Sequence, residues 1–294
     1  MVHYKKTFGE KLYDAINIAI ISLLTLSCLY PFWYIIVASF SSPVEVAKHR
    51  GILLIVKGFS LEAYKAVFSN PNIWTGYRNT IFYVIVGSAV NLFMTTLGAY
   101  GLSRKNVWGK GVIMKIIVFT MFFSGGLIPS FLMMKSWGLV DTVWVMIFPG
   151  AISTFNLIIM RTSFQGIPDS IEESARIDGA NDFEIMWKII VPLSLPVMAV
   201  ITLYYAVGHW NSFFGAIVYL RSRKLYPLQL ILREVLISNS SDSMMTDASG
   251  GDKAGLREII KYATIMVSTV PILCLYPFLQ KYFVKGVMIG SLKE

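Results

Sequence analysis

Cysteine is nearly missing from this sequence. Cys28 and Cys274 are the two in 294 residues; both lie in apolar runs, so they read as packing residues and imply no disulfide framework. Charge is scarce too, with Asp, Glu, Lys and Arg at 15% against 55% hydrophobic residues. No G-x-x-x-x-G-K-S/T phosphate loop occurs. Gly109-Lys110-Gly111 comes nearest but lacks the leading Gly and the Ser or Thr, so ATP hydrolysis by this chain is not expected. H-E-x-x-H, C-x-x-C and G-x-S-x-G are also absent, and His3, His49 and His209 are too far apart in sequence for metal-ligand spacing. The chain reads as no enzyme, neither an intramembrane hydrolase nor a lipid-linked glycosyltransferase. It should bind no metal and no cofactor itself.

The charges that exist avoid six windows. Residues 15–44, 79–103, 116–134, 142–160, 189–220 and 262–280 contain no Asp, Glu, Lys or Arg. Each is long enough to cross a bilayer, which takes about 20 residues. They predict an all-α integral membrane protein of six transmembrane helices with both termini on one side. Its parts would be a tail at 1–14, a membrane domain at 15–280 and a tail at 281–294. The first window is no cleavable signal peptide, because its apolar part is too long and no small-x-small site follows. A net charge of +9 suggests nucleic acid only in a soluble protein. Here it is assigned to lipid headgroups and loops, with no nucleic acid partner. Lys and Arg divide evenly between the two sides when all loops are counted, but short loops decide orientation. The loop at 104–115 carries Arg104, Lys105, Lys110 and Lys115, while 135–141 carries Lys135 alone. That places both termini in the cytosol. An ion-coupled secondary transporter is the alternative reading, and the charge-free spans argue against it, since such carriers usually hold ionisable groups within their spans.

Between the fourth and fifth windows the sequence turns to polar helical structure. Pro168 suits a helix start, Ser170 and Glu173 have capping-box spacing, and Asp169, Glu172 and Glu173 favour the positive helix end. Asp178-Gly179 should stop that helix. A second helix is expected from Asn181 or Asp182, with Phe183, Met186, Trp187 and Ile190 on one apolar face, until Pro192 ends or bends it. About two turns of helix are unstable alone in water. The outer face of the first helix is thus left for a partner.

Glu173, Ser174, Ala175, Gly179, Ile189 and Pro192 fall on the spacing of the EAA motif, with Ser174 in place of its first Ala and Val191 in place of its Leu. The stretch resembles the permease subunits of binding-protein-dependent ABC importers. The resemblance implies the type I importer permease fold, with a cytosolic loop at 165–192 whose short coupling helix docks on an ATPase. Glu172, Glu173, Ser174, Ala175, Asp178, Gly179 and Ala180 would make that contact. It also implies a second permease, two ATPase subunits holding ATP and Mg, and a periplasmic or surface-tethered solute-binding protein at a bacterial inner membrane. The runs at 99–104, 123–129 and 156–161 are similar to maltose-type permeases for oligosaccharides or polysaccharide fragments.

Other expectations are local. Pro31 should kink or anchor the first span, and a short amphipathic helix at 59–68, capped by Ser60, should lie on the outer membrane surface. Gly125-Gly126 with Pro129 reads as a gate or bend, or as simple helix packing. Asn211 and Trp210, in the W-N-x-F element similar to the same family, either border a sugar path or bind a neighbouring helix. Asn156 and His209 are assigned to the path, His209 because Gly208 leaves space beside it. The long outward loop at 221–261 is either a connector or a receptor surface, with Arg221, Arg223, Lys224 and Asp242 as binding-protein contacts. The outward loops hold more Lys and Arg than Asp and Glu, which favours an acidic, uronate-like oligosaccharide such as an alginate fragment. Those arginines would otherwise meet lipid phosphates or acidic patches on the binding protein.

Overall fold

The structure, a computed structural model, describes residues 7–49, 51–237 and 252–291, with side chains in the last stretch for 255–274. Among these the regular structure is helical, apart from one isolated antiparallel bridge between Ser41 and Phe59. α1 (Phe8–Ser39), α2 (Pro43–Lys48) and α3 (Glu62–Ser69) come first. α4 (Pro71–Phe82) runs through a π-helical turn at Tyr83–Gly87 into α5 (Ser88–Ser103). α6 (Lys110–Phe122), α7 (Leu127–Ser136), 3-10 turns at Val143–Met146 and Phe148–Gly150, and α8 (Thr154–Gln165) follow. After α9 (Asp169–Ile177), α10 (Asp182–Ile185) passes through a second π turn at Met186–Ile190 into α11 (Val191–Leu193). α12 (Leu195–Trp210), α13 (Phe214–Tyr219), a 3-10 turn at Arg223–Leu225, α14 (Leu228–Ile237) and α15 (Asp252–Ser291) complete the order.

The chain divides into two compact units, residues 1–70 with 234–269 and residues 71–233 with 270–294. In the first, α1 begins inside the expected N-terminal tail. Thr7 and Glu10 form a capping box there, with the Glu10 N–H donating to Thr7 Oγ1 at 3.4 Å and the Thr7 N–H to Glu10 Oε2 at 2.7 Å. Pro31 sits within α1 without ending it. The helix buries only Val37, Ala38 and Ser39, while Leu23 is 70% exposed. Side chains this apolar and this bare call for a lipid solvent. Ser60 Oγ accepts from the Glu62 N–H, but α3 starts at Glu62 with Leu61 as its N-cap, later than the sequence suggests.

In the second unit the apolar windows are mostly bent. Phe8–Ser39 and Pro71–Ser103 are the helices among the described residues long and apolar enough to span singly. The third window is broken between α6 and α7 by a 115° bend, where Gly126 adopts φ +85° with open space around its Cα. Gly125-Gly126 is therefore a bend, not a helix contact. The fourth window enters α8 through two 3-10 turns and a 52° bend, and α10–α11 meets α12 at 86° around Ser194, between Pro192 and Pro196. The sixth window lies in α15.

One core cluster ties α5, α8, α9, the second π turn and α12 together, with Ala99, Met160, Phe164, Ala175, Ile190 and Ile201 buried in it. α5 and α8 approach closely at Gly98, where a Cβ would lie 3.1 Å from Leu157 Cδ1. The buried polar side chains of α4, Asn79 and Thr80, are tied to backbone. Asn79 Nδ2 donates to the carbonyls of Lys224 (2.7 Å) and Tyr226 (3.0 Å), and Thr80 Oγ1 accepts from the Leu228 N–H at 2.8 Å.

Candidate functional site

Two cavities of opposite character lie in the second unit. The first, about 730 Å³, is lined by α9 and the end of α5. α9 starts at Asp169 with Pro168 as N-cap and no side-chain cap. The proline's extended ψ of 134° begins the helix before Ser170, so the expected Ser170–Glu173 capping box does not form. Ser170 is within the first turn, its carbonyl accepting from Ser174 Oγ at 2.9 Å. The C-terminus follows the sequence: Gly179 is at φ +84°, with Ala180 N–H donating to Ala175 O and Gly179 N–H to Arg176 O, both at 3.0 Å. The capping box belongs to the next helix. Asn181 Oδ1 accepts from the Glu184 N–H at 3.0 Å, and Glu184 Oε2 from the Asn181 N–H at 3.1 Å. The expected apolar face splits at the π turn. Met186 and Ile190 are buried with Ile185, whereas Phe183 is 68% exposed and Trp187 stacks on Phe93. A wider turn advances the register, which a constant 3.6-residue period does not anticipate.

α9 shows two chemistries. Ile177, Glu173, Ser174, Asp178 and Gly179 are exposed and Ala180 half-buried, while Ala175 and Glu172 are buried. Glu172 is ion-paired with Arg104, which directly follows α5. That guanidinium also donates from Nε to Ser103 Oγ at 2.9 Å and lies 4.8 Å from the Tyr100 ring centroid. Burial pushes the Arg104 pKa down, yet it starts too far above neutrality to discharge. The other pairs are exposed: Lys105 with Asp169, and Arg176 with Asp182 at 2.8 Å.

The second cavity, about 480 Å³, contains no Asp, Glu, Lys or Arg in its lining. Asn156 and His209 line it, together with Asn91, Tyr204, Tyr205 and Ser212. His209 Nε2 is 2.7 Å from Asn91 Oδ1, and Asn91 Nδ2 donates to Gly150 O. The Tyr205 hydroxyl meets Thr95 Oγ1 at 2.7 Å and accepts the Ser153 N–H at 3.0 Å. Gly208 leaves open space beside His209, as expected: a Cβ there would meet nothing, and Gly208 lines the cavity too. A Cβ on Gly87, in the first π turn, would lie 2.5 Å from His209 Nε2. Trp210 and Asn211 do not line this cavity. Trp210 is buried with its ring 6.5 Å from Tyr77, and Asn211 is exposed at the C-cap of α12.

Arg221, Arg223 and Lys224 are exposed around a turn held by Asp141. Asp141 Oδ1 accepts the backbone N–H of Arg221 and Ser222, both at 2.8 Å. The Ser222 hydroxyl and those amides push the Asp141 carboxyl below its usual range. Asp242 lies outside the described residues. Arg104, Asn91, Tyr205, Gly87 and Asp141 were not singled out from the sequence. Asp141 and Arg104 carried a local signal, as charges that border apolar runs.

Residues 94–289 match the model of the family described as "Binding-protein-dependent transport system inner membrane component". The chain belongs to that family. It is a membrane-embedded transport component. It is 44% identical over 284 residues to "Polygalacturonan/rhamnogalacturonan transport system permease protein YtcP" of Bacillus subtilis, covering 97% of this chain and 99% of that one. It is also 44% identical to "Protein LplC" of the same organism, over 98% of this chain and 97% of that one. Among solved structures, a chain of a bacterial ABC transporter involved in the import of the acidic polysaccharide alginate superposes with a TM-score of 0.87. That match has 36% identity and covers 95% of this chain and 99% of the other. The all-α importer permease fold expected from the sequence is thus borne out.

Proposed function

We propose that this permease moves an acidic oligosaccharide of uronate type across the bacterial inner membrane, driven by ATP hydrolysis in partner subunits. The observation that carries the reading is α9. Ile177 is 87% exposed and Phe183 68% exposed on a loop outside every apolar window. An apolar pair in water, flanked by exposed Glu173, suits a protein partner, not lipid. α9 is then the coupling helix, with Glu172, Glu173, Ser174, Ala175, Asp178, Gly179 and Ala180 as its working residues and ATP and Mg held by two ATPase subunits. Both termini and this loop face the cytosol. A second permease completes the path.

The uncharged cavity is this subunit's share of that path. Amide, hydroxyl and aromatic groups suit pyranose rings, and Asn91 joins Asn156 and His209 there. Trp210 and Asn211 stand at the end of α12 beyond it. Arg221, Arg223 and Lys224 form the outward basic rim for the binding protein, with Asp242 in the same loop. The absence of carboxylates from the cavity and the basic rim both favour an anion. The alginate and polygalacturonan names of the similar proteins point the same way. Uptake by the reconstituted importer of uronate and neutral oligosaccharides of equal length tests this. The uronate is expected to be preferred, and neutralising Arg221, Arg223 and Lys224 should slow its uptake severalfold at low salt, less at high salt. Preference for the neutral sugar would reject the acidic substrate.

A further inference from the structure

We infer that the Arg104–Glu172 ion pair is the joint that passes the movement of α9 to the sugar-path cavity, with Arg104 as a positioning residue. The inference rests on α9 being the coupling helix. The side chains of Arg104 and Glu172 are only 15% and 11% exposed. The neighbouring Lys105–Asp169 pair is 76% and 53% exposed. A bare pair slips when either helix shifts, because water replaces each partner at little cost. A buried pair does not, because separation leaves a charge without water or partner.

Arg104 is fixed to α5 as firmly as to α9. Its Nε donates to Ser103 Oγ at 2.9 Å and its guanidinium covers the Tyr100 ring, both in α5. Its carbonyl accepts from Lys110 Nζ of α6 at 2.8 Å, and its Nη2 donates to the Phe164 carbonyl of α8 at 3.4 Å. α5 is unbroken from Ser88 to Ser103. Asn91, which touches His209, stands 12 residues before Ser103 on it, roughly 18 Å at the α-helical rise. Thr95, bonded to the Tyr205 hydroxyl, lies between. One rigid rod therefore carries the buried ion pair at one end and the cavity's hydrogen bonds at the other. Displacement of α9 through Glu172 must drag α5, and α5 cannot move without disturbing His209 and Tyr205.

The experiment uses the whole importer in proteoliposomes, with Cys28 and Cys274 replaced by Ser and Ser212→Cys in the cavity wall. The rate of labelling by a small polar thiol reagent is read without nucleotide and with the ATPases trapped closed. The parent should show a difference on the order of tenfold, within the usual range for coupled sites. Arg104→Gln should reduce that difference to less than about twofold in an assembled complex that still hydrolyses ATP. Exchanging the pair, Arg104→Glu with Glu172→Arg, should restore much of it. A full difference in Arg104→Gln would overturn the inference. Arg104→Lys, which keeps the cation without the fork, guards against failed folding. If only Arg104→Lys assembles and it shows the full difference, the pair is a brace and the inference falls. An intermediate value upholds it. A parent without nucleotide dependence would instead defeat the coupling reading, and the joint with it.

Discussion

The two cavities solve the problem of polarity in a membrane protein in opposite ways. The one beside α9 is full of formal charge, most of it held in pairs: Arg104 with Glu172, Lys105 with Asp169, Arg176 with Asp182. The one beside α12 has no carboxylate, ammonium or guanidinium, and joins its polar atoms through Asn91, His209, Thr95, Tyr205 and Ser153. In the first, most charges touch water, so removing one is locally tolerable. In the second, each atom removed orphans another. The charged end should therefore fail chiefly through geometry, and the uncharged one through single atoms.

The largest effect is expected at Gly179. Proline fixes φ near −65°, and Gly179 needs +84°, so Gly179→Pro must unmake the turn between α9 and α10. Membrane insertion should survive, because the turn lies outside the apolar windows, while ATP-driven uptake in vesicles is lost. Glu173→Lys, on the exposed face, should lose uptake too without disturbing the turn. Normal uptake in both would break the assignment of α9.

The uncharged cavity should yield next, at Gly87. A methyl group there would sit 2.5 Å from His209 Nε2. Because Asn91 holds the ring at 2.7 Å, the ring cannot swing away freely. Overpacking of this kind costs about 1–3 kcal/mol, and losing the Asn91 contact costs a similar ~1–3 kcal/mol for the orphaned amide. Gly87→Ala should lower the melting temperature of the purified protein and slow uptake, whereas Gly208→Ala should leave the melting temperature unchanged, since its surroundings are open. Equal effects at the two glycines would break the contrast.

Those two positions also mark how far the sequence could be read. Gly179 announced itself, because Asp-Gly after a short acidic helix is a local stop signal. The start of α9 is nearly as legible, although Pro168, not Ser170, takes the N-cap. Gly87 and His209 are more than a hundred residues apart, and their fit depends on a π turn that leaves no periodic trace. Arg104 looked like ordinary loop charge, since nothing near it in sequence says that Glu172 will be buried against it. The apolar windows located membrane segments but not their bends at 122–127 and at Ser194. Hydropathy sums over a stretch and does not register a change of direction.

The smallest effect concerns pH, and it separates the exposed pairs from the buried one. Hydrogen bonding to Asp169 pushes the Lys105 pKa up, and hydrogen bonding to Lys188 pushes the Glu184 carboxyl down. A raised lysine contributes stability that is complete below its unfolded value, near 10.4, and lost as pH rises through the folded one. A lowered glutamate contributes stability that is complete above about 4.3 and lost as pH falls through its folded value. Between about pH 6 and 9 neither group titrates in either state, so neither pair lends slope to stability there. Lys105→Met and Lys188→Met should shift the melting temperature little, and by the same amount at pH 6, 7.5 and 9. A shift that grows across that interval would mean that one pair titrates inside it. Lys105 would then be less exposed than its 76% suggests, and the division between a wet, replaceable pair and the buried Arg104–Glu172 joint would fail.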